Sequence, residues 1–150
     1  MENPTDWPAQ VSAALDAAFE DLQGERLEAC EAHINLAFDL IDDAGALEHP
    51  MFASVLCMAG DLAMTIGETR SAGAMYQRAA TVLRPYGKPA AIHLAKALCG
   101  LAASDVERGR VPEAREGFTE ALAALDASDE EAARAGREVI AQALASLPPE

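Results

Sequence analysis

The sequence predicts an all-α fold, built as one domain of paired helices, and three observations lead to this prediction. Alanine and leucine dominate the 150 residues, aromatic residues make up only 5%, and β-branched residues are sparse. This composition favours helices that pack through small side chains. A pattern of small and aromatic residues recurs along the chain. Prolines and glycines stand where such helices would begin and end.

The repeated pattern is clearest when the segments that begin at Gly67 and Gly109 are aligned. "GETRSAGAMYQRAATVL" (67–83) matches "GRVPEAREGFTEALAAL" (109–125), and "GERLEACEAHINLAFDL" (24–40) matches less well, one position further away than a constant period would place it. Each segment reads as a helix that follows a glycine turn. The aligned positions are Gly24, Gly67 and Gly109; Ala29, Ala72 and Ala114; His33, Tyr76 and Phe118; and Leu36, Ala79 and Ala121.

A second apolar helical segment precedes each glycine, over roughly 8–23, 50–66 and 89–108. Each begins at a proline (Pro8, Pro50 and Pro89), a residue that suits the first helical position because the N–H it lacks has no partner there. The glycine ends the helix in the left-handed conformation that only glycine adopts cheaply. Gly60 is predicted to mark a close helix crossing, whereas Gly73 has no counterpart in the other copies.

These spacings resemble the tetratricopeptide repeat, and the 42-residue period, with "HP" at 49–50 opening a unit, is similar to the long-helix subclass of kinesin light chains and many bacterial proteins. The resemblance implies an α-α superhelix of about three helix pairs and about seven helices. Residues 1–150 would form a single domain, with repeats at approximately 8–45, 48–86 and 87–128. The segment 129–147 would be a capping helix, with Asp129 as its N-cap.

In the family that the sequence resembles, the first helices of the pairs line a concave groove. Carried onto this chain, the resemblance implies a mainly small and apolar groove that accepts an apolar helix or an extended segment. Lys96 is its only basic member, so a clamp for a C-terminal carboxylate is disfavoured. The implied groove residues are Val11, Ala14, Ala18 and Asp21; Ser54, Cys57, Met58, Asp61 and Met64; and Lys96, Cys99, Ala103 and Val106.

The net charge of −14 is unevenly distributed, with −11 in residues 1–50, +3 in 51–100 and −6 in 101–150. Such a field repels nucleic acid and anionic lipid and attracts a basic partner, although solvation of exposed helix faces explains the same pattern. We therefore predict a non-catalytic module that binds a partner protein segment with an apolar stretch and a basic region. The alternatives are a homodimer or other homo-oligomer that uses the groove as its own interface, and an accessory subunit of an enzyme, secretion or biosynthetic system.

No cofactor, metal site or catalytic residue is predicted. Cys30 and His33 have a spacing compatible with two zinc ligands, but no second Cys or His lies nearby in sequence to complete the site. The three cysteines are far apart and odd in number, which favours a reducing compartment and a cytoplasmic location. "MENPTDW" carries no basic leader and no long apolar run occurs, so neither a signal peptide nor a membrane span is expected.

Overall fold

The computed structural model describes residues 6–149, and this part of the chain is all-α, as predicted, with no strand. Residues 1–5, which belong to the segment on which the signal-peptide prediction rests, lie outside it. Short 3₁₀ turns at 84–86 and 88–90 precede the fifth helix. The helices are α1 (Trp7–Gln23), α2 (Leu27–Asp43), α3 (Pro50–Thr65), α4 (Thr69–Leu83), α5 (Ala91–Glu107), α6 (Val111–Asp126) and α7 (Glu131–Ser146).

The helices pack in sequence order, and the closest partners are α1 with α2, α3 with α4 and α5 with α6. Contacts between α1 and α3, α3 and α5, and α5 and α7 place the first helices of the pairs side by side. Helix α7 packs on α6 and α5, and its Val139 side chain remains 66% exposed. The last helix therefore covers one apolar face of the array and leaves part of its own face open.

The helix starts agree only partly with the proline pattern. Pro50 begins α3, as predicted, and the His49 ring caps this helix by accepting a hydrogen bond from the Met51 N–H at 3.1 Å. Pro8 is the second residue of α1, whereas Pro89 lies in the 3₁₀ turn before α5. The N-cap of α7 is Glu130, one residue after the predicted Asp129.

The turn inside each helix pair shows that the first copy of the repeat was aligned one residue too early. Gly67 and Gly109 have φ angles of 82° and 72°, and the equivalent left-handed residue of the first pair is Glu25, at 59°, because Gly24 has a φ of −87°. All three turns close with the same backbone hydrogen bond, in which the next N–H donates over 2.8 Å to the carbonyl of Asp21, Ala63 or Asp105. The left-handed residues are therefore equally spaced, and the period is the same in all three pairs.

The corrected period explains which side chains of the second helices form the core. Ala29, His33 and Leu36 were aligned with the small and aromatic positions of the other copies, but Leu36 is 49% exposed and the buried positions each lie one residue later. A shift of one residue turns a helix by 100°, which moves a side chain from the core to its edge. The equivalent buried residues are Cys30, Ala72 and Ala114; Ile34, Tyr76 and Phe118; Ala37, Ala79 and Ala121; and Ile41, Leu83 and Leu125.

Tyr76 fills the crossing between three consecutive helices. A Cβ atom built on Gly60 or Gly100 would lie 2.7 or 2.5 Å from its ring, so both positions need glycine for the ring to fit. Gly60 thus marks the close contact that was predicted. Gly73, which had no explanation in the repeat pattern, lies where α4 approaches α5, since a Cβ there would be 3.0 Å from Ser104 Oγ.

Candidate functional site

A cavity of about 240 Å³ opens where α1, α3 and α5 lie side by side, and we call it the first-helix groove. Its floor is mainly apolar, and Phe19 is 53% exposed although it is a large aromatic side chain. Asp16, His93 and Lys96 supply the polar and charged groups around it. The lining residues are Leu15, Asp16, Phe19, Ala53, Ser54, Cys57, Met58, Leu83, His93 and Lys96.

Four of the predicted groove residues line this cavity: Ser54, Cys57, Met58 and Lys96. The predicted residues of α1 do not, because Val11, Ala14 and Ala18 are 0%, 4% and 0% exposed and lie in the core. These buried residues were selected because the first copy was misaligned. The misalignment placed the groove positions of α1 one residue too early, on the buried side of the helix.

The other predicted groove residues lie further along the helices. Asp61 is half-buried and accepts a hydrogen bond from the Tyr76 hydroxyl, so its carboxylate is already engaged. Asp21 is 8% exposed and lies at the turn between α1 and α2. The remaining positions on α3 and α5 lie outside the cavity lining; Met64, Cys99 and Ala103 are half-buried, and Val106 is 42% exposed.

Six residues of the cavity lining were missed by the sequence reasoning: Leu15, Asp16, Phe19, Ala53, Leu83 and His93. Leu15 and Phe19 are the two that the repeat pattern explains. One full period separates them from Cys57 and Asp61, the same step that separates Gly67 from Gly109, so a constant period would have found them. The 43-residue step from Gly24 to Gly67 instead predicted the neighbouring residues Ala14 and Ala18. The shift matters for chemistry, because it replaces two small side chains by a leucine and a phenylalanine.

The cysteines near the groove are protonated thiols at neutral pH. Burial raises the pKa of Cys57 to about 12, with Lys96 opposing and Asp61 reinforcing the shift. Burial likewise raises the pKa of Cys99 to about 11. Because the thiolate is the reactive form, neither side chain is activated as a nucleophile. Cys57 contributes to the groove as a small, polarisable packing group, whereas Cys99 packs outside the cavity lining.

Away from the groove, a cluster of polar side chains lies at the turn between α1 and α2. The Arg26 Nε donates to Asp21 Oδ1 over 3.0 Å, and His33 Nδ1 lies 2.7 Å from Asp21 Oδ2. Burial alone would raise the pKa of Asp21, but the hydrogen bonds to Arg26 and His33 outweigh it and lower the pKa below its ordinary value. His33 is thus held by a carboxylate. Burial also raises the pKa of the Cys30 thiol, with Asp21 and Asp61 adding to it.

Asp105 occupies the repeat position of Asp21 in the third pair, yet its pKa moves the other way. Burial raises the pKa of Asp105, and the charges of Arg110, whose Nε is 3.6 Å from Oδ1, and of Arg108 compensate only in part. The contributions of these two equivalent carboxylates to the stability of the fold are therefore predicted to have opposite pH dependences. Ionised Asp21 stabilises the fold above its ordinary pKa of 3.8, and this stabilisation is lost as the pH falls through the lower folded-state value. Ionised Asp105 weakens the fold as the pH rises from 3.8 through its raised folded-state value.

We expect the cost of Asp21→Asn to increase between about pH 3 and about pH 7, and the cost of Asp105→Asn to decrease over the same range. Asparagine removes the ionisation in both variants while the shape of the side chain is kept. Urea unfolding followed by circular dichroism at several pH values, with each variant compared with the wild type, measures both slopes. Slopes of the same sign would contradict the opposite pKa shifts.

Among residues 6–149, no group of three or more histidine, cysteine or acidic side chains is arranged to hold a metal ion. None of the helices described here is both long and apolar enough to cross a membrane. No protein-family model matches the chain, and no curated protein matches it significantly.

Proposed function

We propose that this chain is a non-catalytic protein-interaction module, similar to tetratricopeptide-repeat proteins, that holds an apolar segment of a partner protein in the first-helix groove. The observation that carries the proposal is the exposure of Phe19 beside Leu15 and Met58 in a concave apolar site. Large apolar side chains that remain exposed in a depression are typical of binding surfaces.

The size of the groove favours a partner segment over a free small molecule. Its volume of about 240 Å³ is below the roughly 300–1,000 Å³ of ordinary ligand pockets. A cavity of this size takes a single apolar side chain, presented by a helix or an extended segment. Met58 and Cys57 lie in the lining and adapt to irregular shapes, which suits a site of this kind.

The repeat architecture supports the same function. The left-handed turn residues Glu25, Gly67 and Gly109 recur at a constant interval, and the first helices contact one another in series, as they do in the repeat family that the sequence resembles. In such arrays the row of first helices is the usual binding face. The resemblance supports this assignment by fold analogy, and the groove residues supply the specific chemistry.

The acidic first helix pair adds a preference for a basic region in the partner. Residues 1–50 carry a charge of −11, and Asp16 lies directly at the groove. A field of this sign accelerates the association of a positively charged partner, and salt screens it over about 10 Å at 0.1 M. A partner segment that combines one large apolar residue with flanking lysines or arginines fits both features.

The test is a binding titration with fluorescein-labelled peptides in which one leucine, phenylalanine or tryptophan is flanked by lysines. We expect saturable binding that Phe19→Asp and Cys57→Arg each weaken about tenfold or more, because the loss of a central apolar contact costs about 2 kcal/mol. Val139→Asp is the matched control, since Val139 is exposed on α7, away from the groove. We also expect the wild-type on-rate to fall several-fold when salt rises to physiological strength.

Equal losses in the control variant, or no binding of any of these peptides, would contradict the proposal. Light scattering over a concentration series separates it from a homo-oligomer that uses the groove as its own interface. A monomer of about 15.7 kDa leaves the groove free. A dimer that Phe19→Asp dissociates would assign the groove to a second copy of the chain.

A further inference from the structure

A larger cleft, of about 490 Å³, lies between α4 and α6 with α5 as its floor, and we call it the second-helix cleft. It shares no lining residue with the first-helix groove, so it is a separate site. Leu98 and Leu101 of α5 lie at its base. Its volume falls within the roughly 300–1,000 Å³ that is ordinary for small-molecule sites.

Two glycines shape the walls of this cleft. A Cβ built on Gly73 of α4 would lie 3.0 Å from Ser104 Oγ, and one on Gly117 of α6 would lie 3.1 Å from Ala102 Cβ. Both helices therefore approach α5 closely at points where they carry no side chain. The space between α4 and α6 stays open above these points instead of being filled by apolar side chains.

The cleft is far less acidic than the chain as a whole, because its four arginines equal its four acidic residues in number. It is lined by four of the nine arginines of the sequence, although the net charge of the whole chain is −14. These arginines come from α4, from the 3₁₀ turn that follows it, and from the turn between α5 and α6. They are Arg70, Arg84, Arg108 and Arg110.

Two of the four arginines are already engaged by carboxylates of the cleft. Arg84 forms a two-pronged ion pair with Glu120, at 3.0 and 3.1 Å. Arg110 lies 3.6 Å from Asp105 and 3.8 Å from Glu113. These contacts engage three of the four acidic residues that line the cleft.

The guanidinium groups of the other two arginines, Arg70 and Arg108, form no hydrogen bond or ion pair with any described residue, although the charge of Arg108 acts on Asp105 and lowers its pKa. Arg70 lies in the first turn of α4, and Arg108 directly follows α5, so both lie at the end of the cleft where the helix pairs turn. Among the lining carboxylates, Glu116 alone lacks such a partner within residues 6–149. The unpaired groups of the cleft are thus two guanidinium groups and one carboxylate.

We propose that the second-helix cleft binds a small dianionic metabolite, with Arg70 and Arg108 holding its phosphate or carboxylate oxygens and Glu116 accepting a hydrogen bond from a donor group. A guanidinium group presents parallel N–H donors that match the oxygens of a carboxylate or a phosphate. Among the lining residues, two guanidinium groups and one carboxylate lack an ion-pair partner, and this excess of one positive charge favours a ligand with net negative charge. The low-dielectric helices around the cleft focus the field of the two cations and favour anion binding at this one place on an acidic surface.

Isothermal titration calorimetry with inorganic phosphate and with succinate, at constant ionic strength, tests the proposal on the full chain. We expect saturable binding of at least one probe, weakened about tenfold by Arg70→Gln or by Arg108→Gln, which corresponds to the loss of one charged contact. Arg134→Gln and Lys88→Gln remove the same charge outside the cleft and are expected to bind like the wild type. Thermal melting of each variant shows that the fold is retained.

The two probes also identify the chemistry of the ligand. Binding of phosphate alone indicates a phosphoryl group, binding of succinate alone indicates a dicarboxylate, and binding of both indicates a general oxyanion site. Absence of saturable binding for both probes overturns the proposal. It is overturned equally if the control variants lose as much affinity as the two cleft variants.

Discussion

Tyr76→Ala is expected to lower the free energy of unfolding by about 3–5 kcal/mol, because it empties the space where three helices cross. The Tyr76 ring is 3% exposed and lies against Gly60 and Gly100, which have no side chains with which to fill the cavity. Neither backbone can collapse into the space without moving a whole helix. Urea unfolding followed by circular dichroism at 222 nm measures the loss.

Two conservative variants separate packing from hydrogen bonding at this site. Burial and the hydrogen bond to Asp61 raise the pKa of the Tyr76 hydroxyl, so it remains a donor at neutral pH. Tyr76→Phe keeps the ring and removes this donor, and we expect a cost of about 1 kcal/mol. Tyr86→Phe is the matched control, since its exposed hydroxyl donates to the Glu48 carbonyl over 2.7 Å. If Tyr76→Ala costs no more than Tyr76→Phe, the ring does not hold the crossing together.

Ile34→Ala is expected to cost about 2–5 kcal/mol, whereas Leu36→Ala is expected to change stability by less than about 0.5 kcal/mol. Ile34 is 3% exposed and Leu36 is 49% exposed, although the two residues lie within one turn of α2. The pair therefore tests the alignment of the first repeat, in which Ile34, Tyr76 and Phe118 are equivalent. Urea unfolding of both variants measures the two losses of stability and shows which of these residues belongs to the core.

A larger loss for Leu36→Ala than for Ile34→Ala would restore the alignment of Gly24 with Gly67 and place His33 among the packing residues. It would also return the groove positions of α1 to Val11, Ala14 and Ala18. The stability experiment thus checks this alignment at the core positions of α2, and the peptide-binding experiment on Phe19 checks it at the groove positions of α1.

The sequence was a good guide where local patterns repeat. Helix formers, glycine turns and the small–aromatic–small spacing are properties of neighbouring residues, and they predicted α3 to α6 closely at both ends of each helix. In the first pair Glu25, with a φ of 59°, takes the left-handed turn, and the Gly24 beside it misled the alignment. A single glycine is a weak marker, because turn closure by the backbone can force another residue into the same conformation.

The sequence by itself determined the all-α class, the helix pairs, the 42-residue step between the second and third pairs and the acidic charge of the first pair, because these depend on residues close together in the chain. Only the tertiary structure decided that Phe19 is exposed in a groove, that Gly73 and Gly117 border a cleft, and that the guanidinium groups of Arg70 and Arg108 form no ion pair with the described residues. Each of these depends on how helices from different repeats approach one another. Such distances are set by the packing of side chains distant in sequence, which local patterns do not encode.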